Sequence, residues 1–231
     1  MSSDVAVILP ALNEIGCVEQ VVDGFLHEGT RVILVDNGSS DGTAQAAQKA
    51  GAEVVYESKR GYGNACLAGL SYLTGRPPSI VVFADCDGTL ESAEIRNMIA
   101  PVESGNVDLV LGRRVRIERG ALPIHQKVGN VVACFILQWF YGLTIRDIPP
   151  YRAARWSFLR QLNLSEKTYG FPVETVALAA RKGGRIAEVD VTYRRRLGGR
   201  SKVAGSLTAS LRAGMSMFTV LISLRYGRRH N

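Results

Sequence analysis

Two carboxylates, Asp85 and Asp87, stand one residue apart directly after the apolar run at 80–84 (IVVFA). At the end of a strand such a pair can act on one small volume, one carboxylate holding a divalent cation and the other accepting from a sugar or ribose hydroxyl. Mg²⁺ and Mn²⁺ prefer oxygen ligands and usually share them with substrate phosphates. The plain alternative is an Asp-rich turn, because Asp-Gly is a common turn dipeptide. A second polar cluster, 36–43 (DNGSSDGT), follows the run at 32–35 (VILV). Asp36 is the first residue beyond that run, where a carboxylate can accept from a nucleobase or ribose, and Asp41 reads as a helix cap. A third cluster, 10–14 (PALNE), follows 5–9 (VAVIL). The stretch 59–65 (KRGYGNA) precedes a helical pattern; its glycines permit close backbone approach and its cations suit a phosphate. It has neither the Walker spacing nor GxGxxG, so a dinucleotide-binding reading loses its main support.

These clusters need a scaffold that gathers strand ends. Short apolar runs at 5–9, 32–35, 53–56, 80–84 and 109–111 predict five strands. Helical spacing at 15–29 (Val18, Val21, Val22, Phe25, Leu26), 43–50, 64–73 and 91–102 predicts helices between them. Apolar strands alternating with helices imply an α/β fold, a mainly parallel central sheet flanked by helices on both faces. Ligands of such sheets bind beyond the carboxyl ends of the strands, which is where the three clusters fall.

Of the 231 residues, 46% are hydrophobic and 21% charged, usage that excludes disorder, collagen and coiled coil. No internal repeat or low-complexity linker divides the chain, so one catalytic domain over 1–231 is expected. The net charge of +7 is uneven: residues 181–231 hold 12 basic and 2 acidic side chains, residues 1–180 hold 16 and 19. A basic end on a near-neutral body points to an anionic partner, whether nucleic acid, membrane surface or phosphate-bearing substrate. Cys17, Cys66, Cys86 and Cys134 have no metal-ligand spacing, which argues against a zinc site or disulfide framework and for a reducing compartment. The N-terminus shows no signal-peptide pattern. No apolar run reaches the roughly 18–20 residues that span a bilayer. Two come partway, 131–143 (VVACFILQWFYGL) and 213–224 (AGMSMFTVLISL). They read as buried helices or as membrane-facing ones, with Arg225, Arg228 and Arg229 adding weight to the second. Residues 181–231 would then supply an acceptor loop and a membrane-facing helix.

Taken in order, PALNE, VDNGSSDGT, KRGYGNA and DCDGT resemble family 2 glycosyltransferases of the GT-A fold. LGRR at 111–114, PIHQKVGN at 123–130, Asp147 with PPYRA at 149–153, YGFPVET at 169–175 and RRRLGGRSKVAGS at 194–206 are similar to the dolichyl- and polyprenyl-phosphate mannosyl- or glucosyltransferase branch. The resemblance covers roughly residues 5–212. It implies inverting transfer of a sugar from a UDP-glucose or GDP-mannose type donor to a polyprenyl or dolichyl phosphate, with Mg²⁺ or Mn²⁺. It implies that Asp36 faces the base, with Pro10, Leu12, Glu14, Lys59 and Gly63 completing the nucleotide pocket. Asp85 would contact the nucleotide-sugar, Asp87 would bind the metal, and Arg113 would sit near the donor phosphates or the acceptor. Arg200, Ser201 and Lys202 would lie on a loop that closes over the phosphates, with Arg114 and His125 on the acceptor phosphate.

The acceptor decides whether a base is needed. A hydroxyl must lose its proton, and Glu174 and Asp147 are the carboxylates available for that. A lipid phosphate is already anionic and needs cations, of which Arg114, Arg116, Arg119, His125 and Lys127 are at hand. An enzyme of the same fold acting on a soluble or glycan hydroxyl, with Glu174 as base, therefore stays open. So does a nucleic-acid-binding module built on the basic end, although only Tyr193 and Tyr226 flank the basic runs as stacking platforms. A sugar-nucleotide sensor without turnover is opposed by the intact Asp85/Asp87 pair. The expected setting is cytoplasmic and peripheral, at the inner face of the membrane, alone or with a separate membrane protein as anchor and without nucleic acid.

Overall fold

The computed structural model describes residues 4–198 and 207–225. The five expected strands form: β1 (Val5–Ala11), β2 (Arg31–Asp36), β3 (Glu53–Tyr56), β4 (Ile80–Phe83) and β5 (Leu109–Ile117). Between them lie α1 (Val18–His27), α2 (Thr43–Lys49), α3 (Tyr62–Leu73) and α4 (Ile95–Glu103), the last led in by a 3₁₀ turn at Ser92–Glu94. The second half adds α5 (Ile124–Tyr141), β6 (Arg152–Arg155), α6 (Trp156–Gln161), α7 (Phe171–Arg181), β7 (Ile186–Tyr193) and α8 (Leu207–Arg225).

The strands form one seven-stranded sheet in the order β3-β2-β1-β4-β6-β5-β7. Neighbours are parallel except at β6, which runs antiparallel to both β4 and β5. Side-chain alternation explains why β1 is apolar throughout. Val5, Val7 and Leu9 pack under α1 and α4, while Ala6 and Ile8 pack under α3 and α7. With both faces covered, a strand has no polar side to show. Gly69 lets α3 sit close on β1, since a Cβ there would meet Ile8 Cγ2 at 2.7 Å.

Because β1, β2, β4 and β5 point the same way, their carboxyl ends share one edge of the sheet. That edge carries Pro10 to Glu14, Asp36, Asp85 and Asp87. The two semi-apolar stretches are neither wholly buried nor membrane-spanning. The first falls largely in α5, which buries Ala133, Cys134 and Leu137 and exposes Val131, Val132, Phe135 and Trp139. The second falls in α8, which buries Val220 and Leu221. Among the described residues no helix is long and apolar enough to cross a membrane. All four cysteines are free and buried.

Candidate active site

The loops that leave β1 and β2 are stitched together. Asn13 N–H donates to Ser39 Oγ at 2.9 Å and its side-chain oxygen accepts from Ser40 N–H at 2.9 Å. Glu14 N–H donates to Thr43 Oγ1 at 2.8 Å, and Ile15 N–H to Asp41 Oδ2 at 3.2 Å. Asn13 takes the left-handed conformation (φ 53°) that Asn tolerates better than most residues. Asp36, the buried last residue of β2, accepts from Ser39 N–H at 3.2 Å. Asn37 then ties this edge to the Lys59–Gly61 loop, donating to the carbonyls of Glu57 and Lys59 and accepting from Gly61 N–H at 2.7 Å. Pro10 and Leu12 are half-buried beside these loops, and Lys59 is exposed on the neighbouring one.

Gly63 has a different task from the one expected of it. A Cβ there would lie 2.1 Å from the Glu166 carbonyl oxygen, and Gly63 N–H donates to Thr168 O at 3.1 Å. The residue is a glycine because the 166–168 backbone fills its open side. Gly63→Ala is expected to lower stability by about 1–3 kcal/mol, as overpacking does, read as a lower denaturant midpoint at unchanged slope.

The centre of the site is an acidic cluster gripped by one arginine. Asp87 Oδ1 accepts from Thr89 N–H at 3.0 Å and from Thr89 Oγ1–H at 2.6 Å, which fixes the carboxylate. Its Oδ2 accepts from Arg196 Nη1 at 3.1 Å, and Arg196 Nη2 donates to Glu14 Oε1. Residues 194–197 run beside 87–90, with Arg194 N–H on Thr89 O at 2.8 Å and Leu197 N–H on Asp87 O at 3.1 Å. Asp85 lies alongside, half-buried. Burial and then the Asp87 charge push its carboxyl up to about 7, against the pull of Arg152, Arg196 and Arg114. Burial, with Asp85 and Asp87, likewise pushes the Tyr193 phenol up to about 12.

Other expected site residues are occupied elsewhere. Arg114 is clamped by Asp147 through Nε–Oδ2 at 2.8 Å and Nη2–Oδ1 at 2.6 Å, and lies over the Tyr193 ring at 5.2 Å. Arg113 Nε donates to Asp190 Oδ1 at 2.7 Å across the β5–β7 pair. His125 is exposed in the first turn of α5. Glu174 is buried in α7, and its carboxylate accepts from Ser165 N–H, Ser165 Oγ–H and Glu166 N–H at 2.9–3.1 Å. Burial raises its carboxyl above the ordinary range in spite of those bonds. This geometry makes Glu174 the clasp of the 165–166 turn. Arg200, Ser201 and Lys202 lie outside the described residues. Residue type gives Arg152 no role; Asn37 and Thr89 are visible only as members of the strand-end clusters, and Arg196 only as one member of a basic run.

The profile described as Glycosyl transferase family 2 matches residues 6–172. The chain belongs to that family. It is a glycosyltransferase, and its sheet is that of the GT-A enzymes. It is 38% identical over 217 residues to an uncharacterized glycosyltransferase of Mycobacterium tuberculosis, covering 94% of this chain and 97% of that one. It is 32% identical to the dolichyl-phosphate hexose transferase of Haloferax volcanii, covering 84% and 85%. It is 31% identical to the undecaprenyl-phosphate mannosyltransferase of Micrococcus luteus, covering 88% of each chain. Among solved structures, glucosyl-3-phosphoglycerate synthase of Mycobacterium tuberculosis, with Mg²⁺ and UDP bound, superposes with a TM-score of 0.77 at 22% identity, over 100% of this glycosyltransferase and 82% of that chain. That likeness is one of fold.

Proposed function

We propose that this glycosyltransferase moves a hexose from a nucleoside-diphosphate sugar to a polyprenyl phosphate at a membrane surface, with inversion at the anomeric carbon. One observation carries the acceptor choice. The two carboxylates outside the Asp85/Asp87 pair that the sequence offers as bases for a hydroxyl acceptor are both engaged, Asp147 by Arg114 and Glu174 by the 165–166 turn. A phosphate acceptor needs no base, because its oxygen is already an anionic nucleophile. The bond from that oxygen to the anomeric carbon forms as the carbon–oxygen bond to the nucleoside diphosphate breaks, and the diphosphate leaves with the electron pair. The names of the Haloferax and Micrococcus relatives point to the same acceptor class.

Donor binding follows from the loops. Asp36, Pro10 and Leu12 flank the place for the nucleoside, Asn37 fixes the Lys59 loop beside it, and Asp85 faces the sugar side. The cluster also suits a hard divalent cation. Among the described residues no group of three His, Cys, Asp or Glu could cage a metal. Asp87 and Glu14 nonetheless already bind one cation, the Arg196 guanidinium. One or two carboxylates completed by substrate phosphates are the usual protein share for Mg²⁺. Asp87, with Asp85 beside it, would hold such an ion, which when bound neutralises charge on the departing diphosphate. Arg196 would contribute positive charge to the same side, and Thr89 keeps Asp87 aimed.

The test is radiolabel transfer by the purified protein with Mg²⁺ or Mn²⁺, a panel of UDP- and GDP-sugars, and a short polyprenyl phosphate. Label entering the organic phase only when the lipid is present is the expected result. Transfer to a water-soluble hydroxyl acceptor without lipid transfer would overturn the proposal. Glu174→Ala separates the two acceptor chemistries further. Loss of the clasp is expected to lower stability by about 2 kcal/mol. The kcat of the folded variant should stay within about tenfold of the parent, because removing a general base costs about 10²–10⁴-fold.

A further inference from the structure

The exposed side of α5 is the wrong surface for water. Ile124, Val128, Val131, Val132, Phe135 and Trp139 are each 51–79% exposed on this one helix. At about 100° per residue they fall within an arc of about 100°. The opposite side holds Ala133, Cys134 and Leu137, which pack into the core with α7. Phe135 and Trp139 stack at 6.5 Å between centroids with both rings exposed. α8 packs beside α5, with Tyr141 Oη on Leu221 O at 3.4 Å, and exposes Met215 and Phe218. Isolated apolar side chains on a surface need no explanation, but a continuous stripe of this kind marks an interaction site.

We propose that α5, with α8 beside it, lies flat on an anionic lipid bilayer and sinks this stripe into the interfacial region. Charge selects the occupant. α5 carries Lys127 and His125, which fall on either side of the stripe at about 100° per residue, and it has no acidic residue. A second copy placed on the same face would set cations against cations, whereas an anionic headgroup layer complements them. With His125, Gln126 and Lys127 in its first turn the helix is not apolar enough to cross the bilayer, and its Trp suits the headgroup boundary. Placement agrees with this. β5 ends at Ile117 on the edge that carries Asp85 and Asp87, and α5 begins at Ile124. The lipid-facing stripe therefore starts where an acceptor phosphate would have to arrive. The meaning of the contact rests on the lipid-phosphate reading, but its test does not.

The experiment is flotation of the intact purified protein with vesicles of phosphatidylcholine alone or of phosphatidylcholine with phosphatidylglycerol. The protein should float with the anionic vesicles and mostly stay behind with the neutral ones. The combined variant Val131→Ser, Phe135→Ser and Trp139→Ser should cut the bound fraction at least tenfold with an unchanged circular dichroism spectrum. It should keep the parent rate on a short, water-soluble polyprenyl phosphate and lose rate on a long-chain acceptor embedded in vesicles. Failure to float, or flotation that the triple variant leaves unchanged, overturns the proposal. So does light scattering that shows a dimer for the parent and a monomer for the variant, which would assign the face to a second copy. A protein that floats as described but transfers no sugar to any lipid leaves this surface standing and removes the acceptor reading instead.

Discussion

Asp87→Ala is expected to abolish sugar transfer, by on the order of 10³-fold or more in kcat/KM, a size set by the removal of charge stabilisation at a leaving diphosphate. The geometry shows why one carboxylate matters so much. Asp87 is held by two hydrogen bonds from Thr89 and accepts a third, charged one from Arg196. A side chain steadied on one oxygen and bound to a cation on the other is already arranged for a positive partner. The alanine removes that partner's seat and leaves Arg196 with Glu14 alone. Donor binding measured with and without divalent metal should then show no metal dependence, while the parent loses its activity to a chelator and regains it on adding Mg²⁺ or Mn²⁺. Folding should survive with a loss of about 1–3 kcal/mol, because buried Thr89 loses the acceptor of both its donors while Arg196 keeps Glu14; the rate loss is read on the folded fraction. A variant that keeps full activity, or a parent indifferent to chelation, would remove the metal from the scheme.

Much of this arrangement can be read from residue order, and the parts that cannot have physical reasons. Strand ends are legible because a strand buried on both faces must be apolar throughout, so the first polar residue after it is on the ligand edge. That logic locates Asp36 and Asp85 directly. It fails for β6, whose four residues, Arg-Ala-Ala-Arg, carry no apolar signature; the strand exists because β4 and β5 leave a gap between them. It also fails for partners distant in sequence. Arg114 and Asp147 are both visible as charged residues, but their mutual clamp joins the end of β5 to a loop 33 residues away. Glu174 looks like a base in its motif and proves to be a clasp, because the turn it holds has no pattern of its own. The two faces of α5 differ only in what covers them. Apolar residues occur all round the helix, so periodicity does not tell that Leu137 is inside and Trp139 outside.

Arg152→Met is expected to fold as well as the parent, or better by about 1–4 kcal/mol, and still to lose on the order of 10–100-fold in kcat/KM. Arg152 is fully buried on β6, opposite Phe83 of β4 and Leu111 of β5. Its guanidinium lies 5.1 Å from the Phe83 ring centroid and 5.6 Å from that of Phe171. Among the described residues none of its three nitrogens has a hydrogen-bond partner. A buried donor left unmatched costs about 1–3 kcal/mol and more when charged, and two aromatic faces offset part of that. Packing alone would favour methionine, which fills similar volume without the charge. What the arginine has that methionine lacks is its field on Asp85, which stands two residues beyond Phe83 at the same strand end and whose carboxyl it pulls toward ionisation. The loss should therefore appear in donor KM and in kcat while thermal unfolding holds or rises, and Arg152→Lys should recover part of it by restoring the charge. Full activity in a stable methionine variant would mean that the buried cation has no part in the site.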